Sequence, residues 1–227
     1  MISVIMSTFN NEDSITTSIE SILNQTYDDF DFLIIDDDSH DSTLDILKEF
    51  ESNDKRVKIF KNNENIGLTK SLNKLINLSN KKYIARQDAD DISLPKRLEL
   101  QTNYVENGNI SACTTLAKLI DSDKVRPKIS HYLPQKIIIK RKNPFIHGTL
   151  LIKKSLIEEM GLYDENFYYS QDYKLFYDLI KKGNKVGVLK KPLYKLNTKN
   201  NISSKRKAQQ AYYANCVKKQ ILPKYIK

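Results

Sequence analysis

Tyr83-Ile84-Ala85-Arg86-Gln87-Asp88-Ala89-Asp90-Asp91 carries a short strand-like run straight into three carboxylates. Asp88 and Asp90 stand two residues apart at the carboxyl end of that strand, where open α/β sheets form their ligand crevices. Hard oxygen donors of this kind suit a divalent cation, which would neutralise the phosphates of a nucleotide diphosphate. Short Asp-x-Asp matches are common, so an acidic turn is the competing reading, and the rest of the chain has to decide.

Upstream, strand-like and helix-like runs alternate. Ile2 to Met6 precedes Ser14 to Asn24, Asp31 to Ile35 precedes Ser42 to Phe50, Val57 to Phe60 precedes Leu68 to Leu78, and Tyr83 to Arg86 precedes Leu94 to Glu106. This βα series predicts an α/β fold with a Rossmann-like, mostly parallel central sheet and helices on both faces. Asp41-Ser42 and Ser93 stand where helix caps are expected, with Pro95 in a first turn. After Ser111 the pattern loosens: strands are expected over Ser111 to Ile120, Val125 to Ile129, His147 to Lys153, Val186 to Leu189 and Leu193 to Leu196. Helices are expected over Ser155 to Met160 and Gln171 to Lys182.

With 227 residues and 40% hydrophobic content, one main domain is expected. No apolar run nears the roughly 18 residues of a membrane span, and Ile2 to Met6 reads as a first strand rather than a signal. Cys113 and Cys216 lie far apart, and His40, His131 and His147 form no paired motif, so a reduced, cytoplasmic protein is expected.

The net charge of +9 hides an asymmetry. No Asp or Glu follows Asp178, whereas 14 of the 37 Lys and Arg lie from Lys181 onward; the other 23 face all 28 acids, leaving about −5 before that point. Lys199 to Ser204 reads as a linker. Lys205 to Leu222 reads as a basic helix with Tyr213, Val217 and Ile221 in one stripe, open to docking on the domain or to lying against an anionic membrane.

Ile35-Asp36-Asp37-Asp38-Ser39-His40-Asp41 is a second acidic cluster at a strand end. A carboxylate at Asp36 or Asp37 has the chemistry to accept a uracil imide N–H or a ribose hydroxyl, with a turn and helix cap as the plain alternative. Asp172, opening a helix in Tyr169-Ser170-Gln171-Asp172, reads either as a carboxylate favourable to the helix dipole or as a general base.

These segments, together with Ile2-Ser3-Val4-Ile5-Met6-Ser7-Thr8-Phe9-Asn10, Ser21-Ile22-Leu23-Asn24-Gln25-Thr26, Asn65-Ile66-Gly67 and Asn73, resemble in composition and order the family 2 inverting glycosyltransferases of GT-A fold. The resemblance spans about residues 2 to 196. It implies a domain over residues 1–198, with a nucleotide-sugar-binding half at 1–107 and an acceptor-binding half at 108–198, followed by a basic helical extension at 199–227.

By that resemblance Ser7 and Asp37 contact the uracil, Asp88 the ribose or metal-bound nucleotide, Asp90 is the main ligand of Mn2+ or Mg2+, and Asp172 is the catalytic base. Asp36 is a further nucleotide candidate. Arg86 faces donor phosphate or serves structurally. Asp91, His147 and Gln171 are candidates for contact with acceptor or donor sugar. Gln171 replaces the usual Glu of the base motif, Asp38 replaces a common Gly, and the short chain argues against processive synthesis.

The implied reaction moves a sugar from a nucleotide-sugar, a UDP-sugar first, to a hydroxyl of a glycan or glycolipid acceptor in surface polysaccharide (lipopolysaccharide or capsule) synthesis. A basic C-terminus suits an anionic acceptor or peripheral contact with the inner face of the cytoplasmic membrane. A nucleic-acid-binding protein on an α/β domain is the alternative from the pI of about 9.3, but no nucleic-acid motif accompanies it and no such partner is expected. An oxidoreductase lacks a Gly-x-Gly-x-x-Gly turn, and an aspartyl phosphatase lacks Asp-x-Asp after its first strand.

Overall fold

The computed structural model describes residues 1–128, 133–199 and 206–224. The alternating first half forms β1 (Ile2–Thr8), α1 (Ile15–Leu23), β2 (Phe30–Asp36), α2 (Thr43–Asn53), β3 (Val57–Lys61), α3 (Leu68–Leu78) and β4 (Tyr83–Arg86). Its strands lie in the order β3-β2-β1-β4, all parallel. The chain lays β2 on one side of β1 and β4 on the other, so the winding reverses at β1 and the carboxyl-end loops part there.

Alternation along the strands places helices on both faces. Ile2, Val4 and Met6 of β1 join a core with Ile15, Ile19 and Ile22 of α1 and Leu47 of α2, while Ile5 joins an opposite core with Leu72, Leu75 and Ile76 of α3.

The second half contains β5 (Ile92–Ser93), α4 (Arg97–Asn107), β6 (Ala112–Leu119), β7 (Ser122–Arg126), α5 (Gln135–Ile138), a 3-10 turn (His147–Thr149), β8 (Leu151–Lys153), α6 (Lys154–Glu159), α7 (Gln171–Lys181), β9 (Val186–Leu196) and α8 (Lys207–Lys219). The sheet continues from β4 as β8-β6-β9-β5, with β7 on β6. The expected parallel order therefore holds across β3-β2-β1-β4 and gives way at β8, which is antiparallel to both β4 and β6.

Several local expectations change. Ser93 lies in β5, and α4 begins at Arg97, after Pro95, because the Ser93 and Leu94 N–H groups donate to Ser21 Oγ and Leu193 O instead of joining a helix. His147 to Thr149 is a turn rather than a strand, closed by the Leu150 N–H on His147 O. Val186 to Leu196 is one strand whose register slips between Thr115 and Leu116 of β6, so that Lys190 and Lys191 bulge ahead of Pro192. The segments expected at Val125 to Ile129, Lys199 to Ser204 and Lys205 to Leu222 lie partly outside the described residues, as does His131.

Helix α8 packs on the domain. Tyr213, Cys216 and Val217 are buried, at i, i+3, i+4, in the core shared with Leu175, Phe176 and Leu179 of α7. Gln220 ends the helix in the left-handed conformation, and Ile221 beyond it is 52% exposed. The expected Tyr213-Val217-Ile221 stripe thus stops at Val217, and the apolar face that a bilayer would need is covered by α7. Among the described residues no helix is long and apolar enough to cross a membrane. Cys113 and Cys216 are both buried and free.

Removing the Tyr213 ring leaves a cavity in this core. In urea titrations Tyr213→Ala is expected to lose about 3–5 kcal/mol, whereas Ile221→Ala stays within about 0.5 kcal/mol of the parent.

Candidate active site

The register β2-β1-β4 aligns Thr8 with Asp36 and Ile5 with Arg86, so both acidic clusters leave the same edge of the sheet on either side of β1. Asp37 donates its N–H to Thr8 O, and the Gln87 N–H reaches Ile5 O.

Asp37 is buried and heavily bonded. Its Oδ1 accepts from Asn62 Nδ2 at 2.7 Å, the Ile66 N–H at 3.1 Å and Ser71 Oγ at 3.1 Å; its Oδ2 accepts only the Gly67 N–H at 2.9 Å. Among the described residues Oδ2 therefore carries fewer protein hydrogen bonds than Oδ1. The bonds to Ile66 and Gly67 explain the Asn-Ile-Gly segment, where Gly67 has φ +87 and an added Cβ would meet the Tyr168 ring at 2.6 Å.

Asp36 is fully buried and accepts the Ser39 N–H, shaping the turn in which Asp38 takes a left-handed φ of 68. The other Asp36 carboxylate oxygen, Oδ1, is buried with no hydrogen-bond partner among the described residues. Phe9, which the sequence reading passed over, ends the same edge with its ring 42% exposed and edge-on to His40. An aromatic residue just past a strand end was the available signal.

Gln87 shapes the loop after β4. Its Nε2 donates to Ser18 Oγ and to the carbonyls of Asp88 and Asp91, and its Oε1 accepts from Ser93 Oγ and Arg97 Nη2. Arg86, only 1% exposed, is ion-paired with Asp88 and donates to Ile5 O. Its burial and its pairing with Asp88 match the structural of the two expected roles. Arg97, also buried, reaches Gly148 O at 3.4 Å and stands 5.5 Å from the Tyr194 ring. Burial lowers its pKa to about 10, so it remains a cation at neutral pH.

The three carboxylates divide by environment. Asp88 keeps 31% exposure of its side chain. Asp90 is partly exposed, and burial, then Asp88, push its pKa up to about 6. Asp91 is buried, accepts the Asn197 N–H at 2.6 Å and bonds the Tyr194 hydroxyl; burial and its two acidic neighbours raise its pKa well above the carboxylate range. Asp91 therefore joins the loop to the end of β9 and does not reach a sugar. Among the described residues no three His, Cys, Asp or Glu gather as a closed metal site. Asp88 and Asp90 are two oxygen-donor carboxylates, the charge of Asp88 disfavours ionisation of Asp90, and such a pair fits a hard cation whose other ligands come from phosphate and water.

Asp172 stands in the first turn of α7. Asn143 Nδ2 donates to its Oδ2 at 2.7 Å. Burial raises the pKa of Asp172, and Asp88 adds to the shift, so the two acidic centres feel one another's charge. Gln171 beside it is buried. His147 Nε2 bonds Tyr163 Oη at 2.7 Å; burial, then Arg86, hold its pKa well below the usual value, leaving a neutral ring that supports the wall of the crevice. Asn143, Tyr163 and Tyr194 carry no motif of their own and escaped the sequence reading.

The family described as "Glycosyl transferase family 2" matches residues 3–176. An uncharacterized glycosyltransferase of Methanocaldococcus jannaschii is 34% identical over 222 residues, covering 93% of this chain and 76% of that one. The O-antigen biosynthesis glycosyltransferase WbnJ of Escherichia coli is 37% identical over 183 residues, covering 78% and 70%. Residues 1–349 of S. aureus TarS, solved in complex with UDP, superpose with a TM-score of 0.78 at 19% identity, covering 96% of this chain and 64% of that one. The α/β architecture is that of the GT-A glycosyltransferases. The chain belongs to glycosyl transferase family 2.

Gly148 is where β4, β9 and the 3-10 turn meet: an added Cβ would lie 2.5 Å from Tyr194 Oη and 2.7 Å from Asp88 Oδ2. Gly148→Ala is expected to cost about 1–3 kcal/mol of stability and to weaken donor binding by displacing Asp88, both readable from melting curves with and without nucleotide.

Proposed function

We propose that the protein transfers a sugar, with inversion, from a UDP-sugar to a hydroxyl of a glycan or glycolipid acceptor in surface-polysaccharide synthesis. What supports this reading most is that Asp37 and the Asp88/Asp90 pair follow the same ends of the parallel strands flanking β1, with Asp172 near enough to feel the charge of Asp88. The TarS complex with UDP and the O-antigen role in the name of WbnJ support the donor and the pathway.

In this reading Asp37 Oδ2 accepts the uracil imide N–H, Ser7, paired with Ile35 near the end of β1, contacts the same ring, and the exposed Phe9 ring offers a stacking surface for the base. Asp88 and Asp90 face the diphosphate. A divalent cation, Mn2+ or Mg2+, bound there would neutralise the charge that develops on the departing UDP. The acceptor oxygen forms the new bond to the anomeric carbon as the bond to the diphosphate oxygen breaks with its electron pair, and Asp172 takes the acceptor proton. Asn143 holds one carboxylate oxygen of Asp172 and so orients the base.

UDP with Mn2+ is expected to raise the melting temperature, and Asp90→Ala to remove most of that shift; unchanged binding by Asp90→Ala would refute the assignment. Asp172→Asn should keep the shift and lose about 10²- to 10⁴-fold in transfer rate. The raised pKa of Asp172 sets the pH response. A base must be ionised, so kcat/KM falls as pH drops through that raised value, and the acid limb of the rate profile lies above the roughly 4 of an ordinary aspartate.

A further inference from the structure

The segment after α5, the start of α7 and the middle of α8 border an open surface cavity of about 320 Å³ that has Asp172 in its wall. Arg141, Lys142 and Lys218 also line it, and all three side chains are exposed. Among the described residues none of the three has an ion pair, and Asp172 is the one carboxylate in the lining.

The cavity is built and held in place. Tyr173 Oη donates to Ile139 O at 2.6 Å and Asn143 to Asp172, which fixes the segment carrying Arg141 and Lys142 against the first turn of α7. Ser170 Oγ bonds Gln210 through its carbonyl at 3.1 Å and its side chain at 3.0 Å, which pins α8 to the residue preceding that turn. The basic C-terminal helix therefore forms one wall of the space beside the base.

We propose that this cavity is the acceptor subsite and that it takes an acceptor bearing a phosphate group close to the sugar hydroxyl to be glycosylated. The proposal rests on the reading of Asp172 as the base. Three unpaired cations around one carboxylate give no advantage to a neutral glycan, whereas a phosphate presents acceptor oxygens that a guanidinium fork and two ammonium groups can share. Such an anion, held by Arg141, Lys142 and Lys218, would present the neighbouring hydroxyl towards Asp172. The positive excess of the C-terminal segment then has a local purpose, as one side of a phosphate clamp.

The test uses the full chain with its donor site filled by UDP and Mn2+, so that added phosphate cannot enter there. Hexyl phosphate and neutral hexyl glucoside are titrated by calorimetry, with inorganic phosphate as a third arm to separate the charged group from its alkyl chain. The expected result is binding of hexyl phosphate that exceeds hexyl glucoside, weakens with added salt, and falls by about tenfold or more in the Arg141→Gln, Lys142→Gln, Lys218→Gln triple variant. Binding of inorganic phosphate with the same loss in the variant supports recognition of the phosphate itself. Equal binding of the neutral glucoside, or a triple variant that binds hexyl phosphate like the parent, overturns the proposal. The UDP-induced melting shift is measured on both proteins. Its retention in the variant shows an intact fold and donor site, and its absence from the parent would count against the donor reading instead.

Discussion

Negative charge crowded at the end of β4 is the constraint on which the rest of the structure depends. Asp88, Asp90 and Asp91 fall within four residues, and the charge of Asp88 is felt by Asp90, Asp91 and Asp172 alike. Such a concentration at a partly buried strand end requires compensation from below, where two arginines with almost no solvent contact supply it. Arg86 pairs with Asp88, and Arg97 lies between Gln87, Gly148 and Tyr194. In a low-dielectric surrounding these charges act strongly on one another, and the uncharged Gln87 amide sets the loop geometry by bonding five groups.

Each compensation recruits a different element. Gln87 reaches α1 through Ser18, Arg97 brings α4 under the loop, and Gly148 lets Asp88 and Tyr194 approach closely. Asn197 and Tyr194 join β9 to Asp91. On the opposite wall, Asn143 and Gln210 attach the segment after α5 and helix α8 to the start of α7. Each side of the proposed reaction is therefore held in place by hydrogen bonds between residues far apart in sequence.

The first half of the fold was legible because each strand and helix there carries a local periodicity and the connections between them are short. Ile2 to Met6, Asp31 to Ile35 and Tyr83 to Arg86 all sit inside observed strands. The second half was less legible for definite reasons. Ser93 and Pro95 look like a helix start, yet the Ser93 and Leu94 amides find partners in Ser21 and β9 that no local pattern announces. His147 to Thr149 contains strand-forming residues, but its carbonyls close a turn so that Gly148 can meet Asp88 and Tyr194. Lys190 and Lys191 interrupt an apolar run that is nonetheless one strand, because β6 tolerates the bulge. The site divides in the same way: Asp37, Asp88, Asp90 and Asp172 stand in quotable motifs, whereas Asn143, Arg97, Tyr163 and Tyr194 matter only through what they touch.

By itself the sequence determined the βα alternation, the family, and which carboxylates end which strands, since all of these follow from residue type and spacing along the chain. Tertiary structure decided what surrounds each of those carboxylates. Asp37 and Asp91 are buried and tied by protein hydrogen bonds to Gly67 and to Asn197, whereas Asp88 and Asp90 keep partial exposure, because only the folded chain sets which neighbours reach a given strand end. It also decided that the basic C-terminal helix packs through Tyr213, Cys216 and Val217 beside Asp172 rather than standing apart, because an apolar face is buried wherever a complementary surface is within reach.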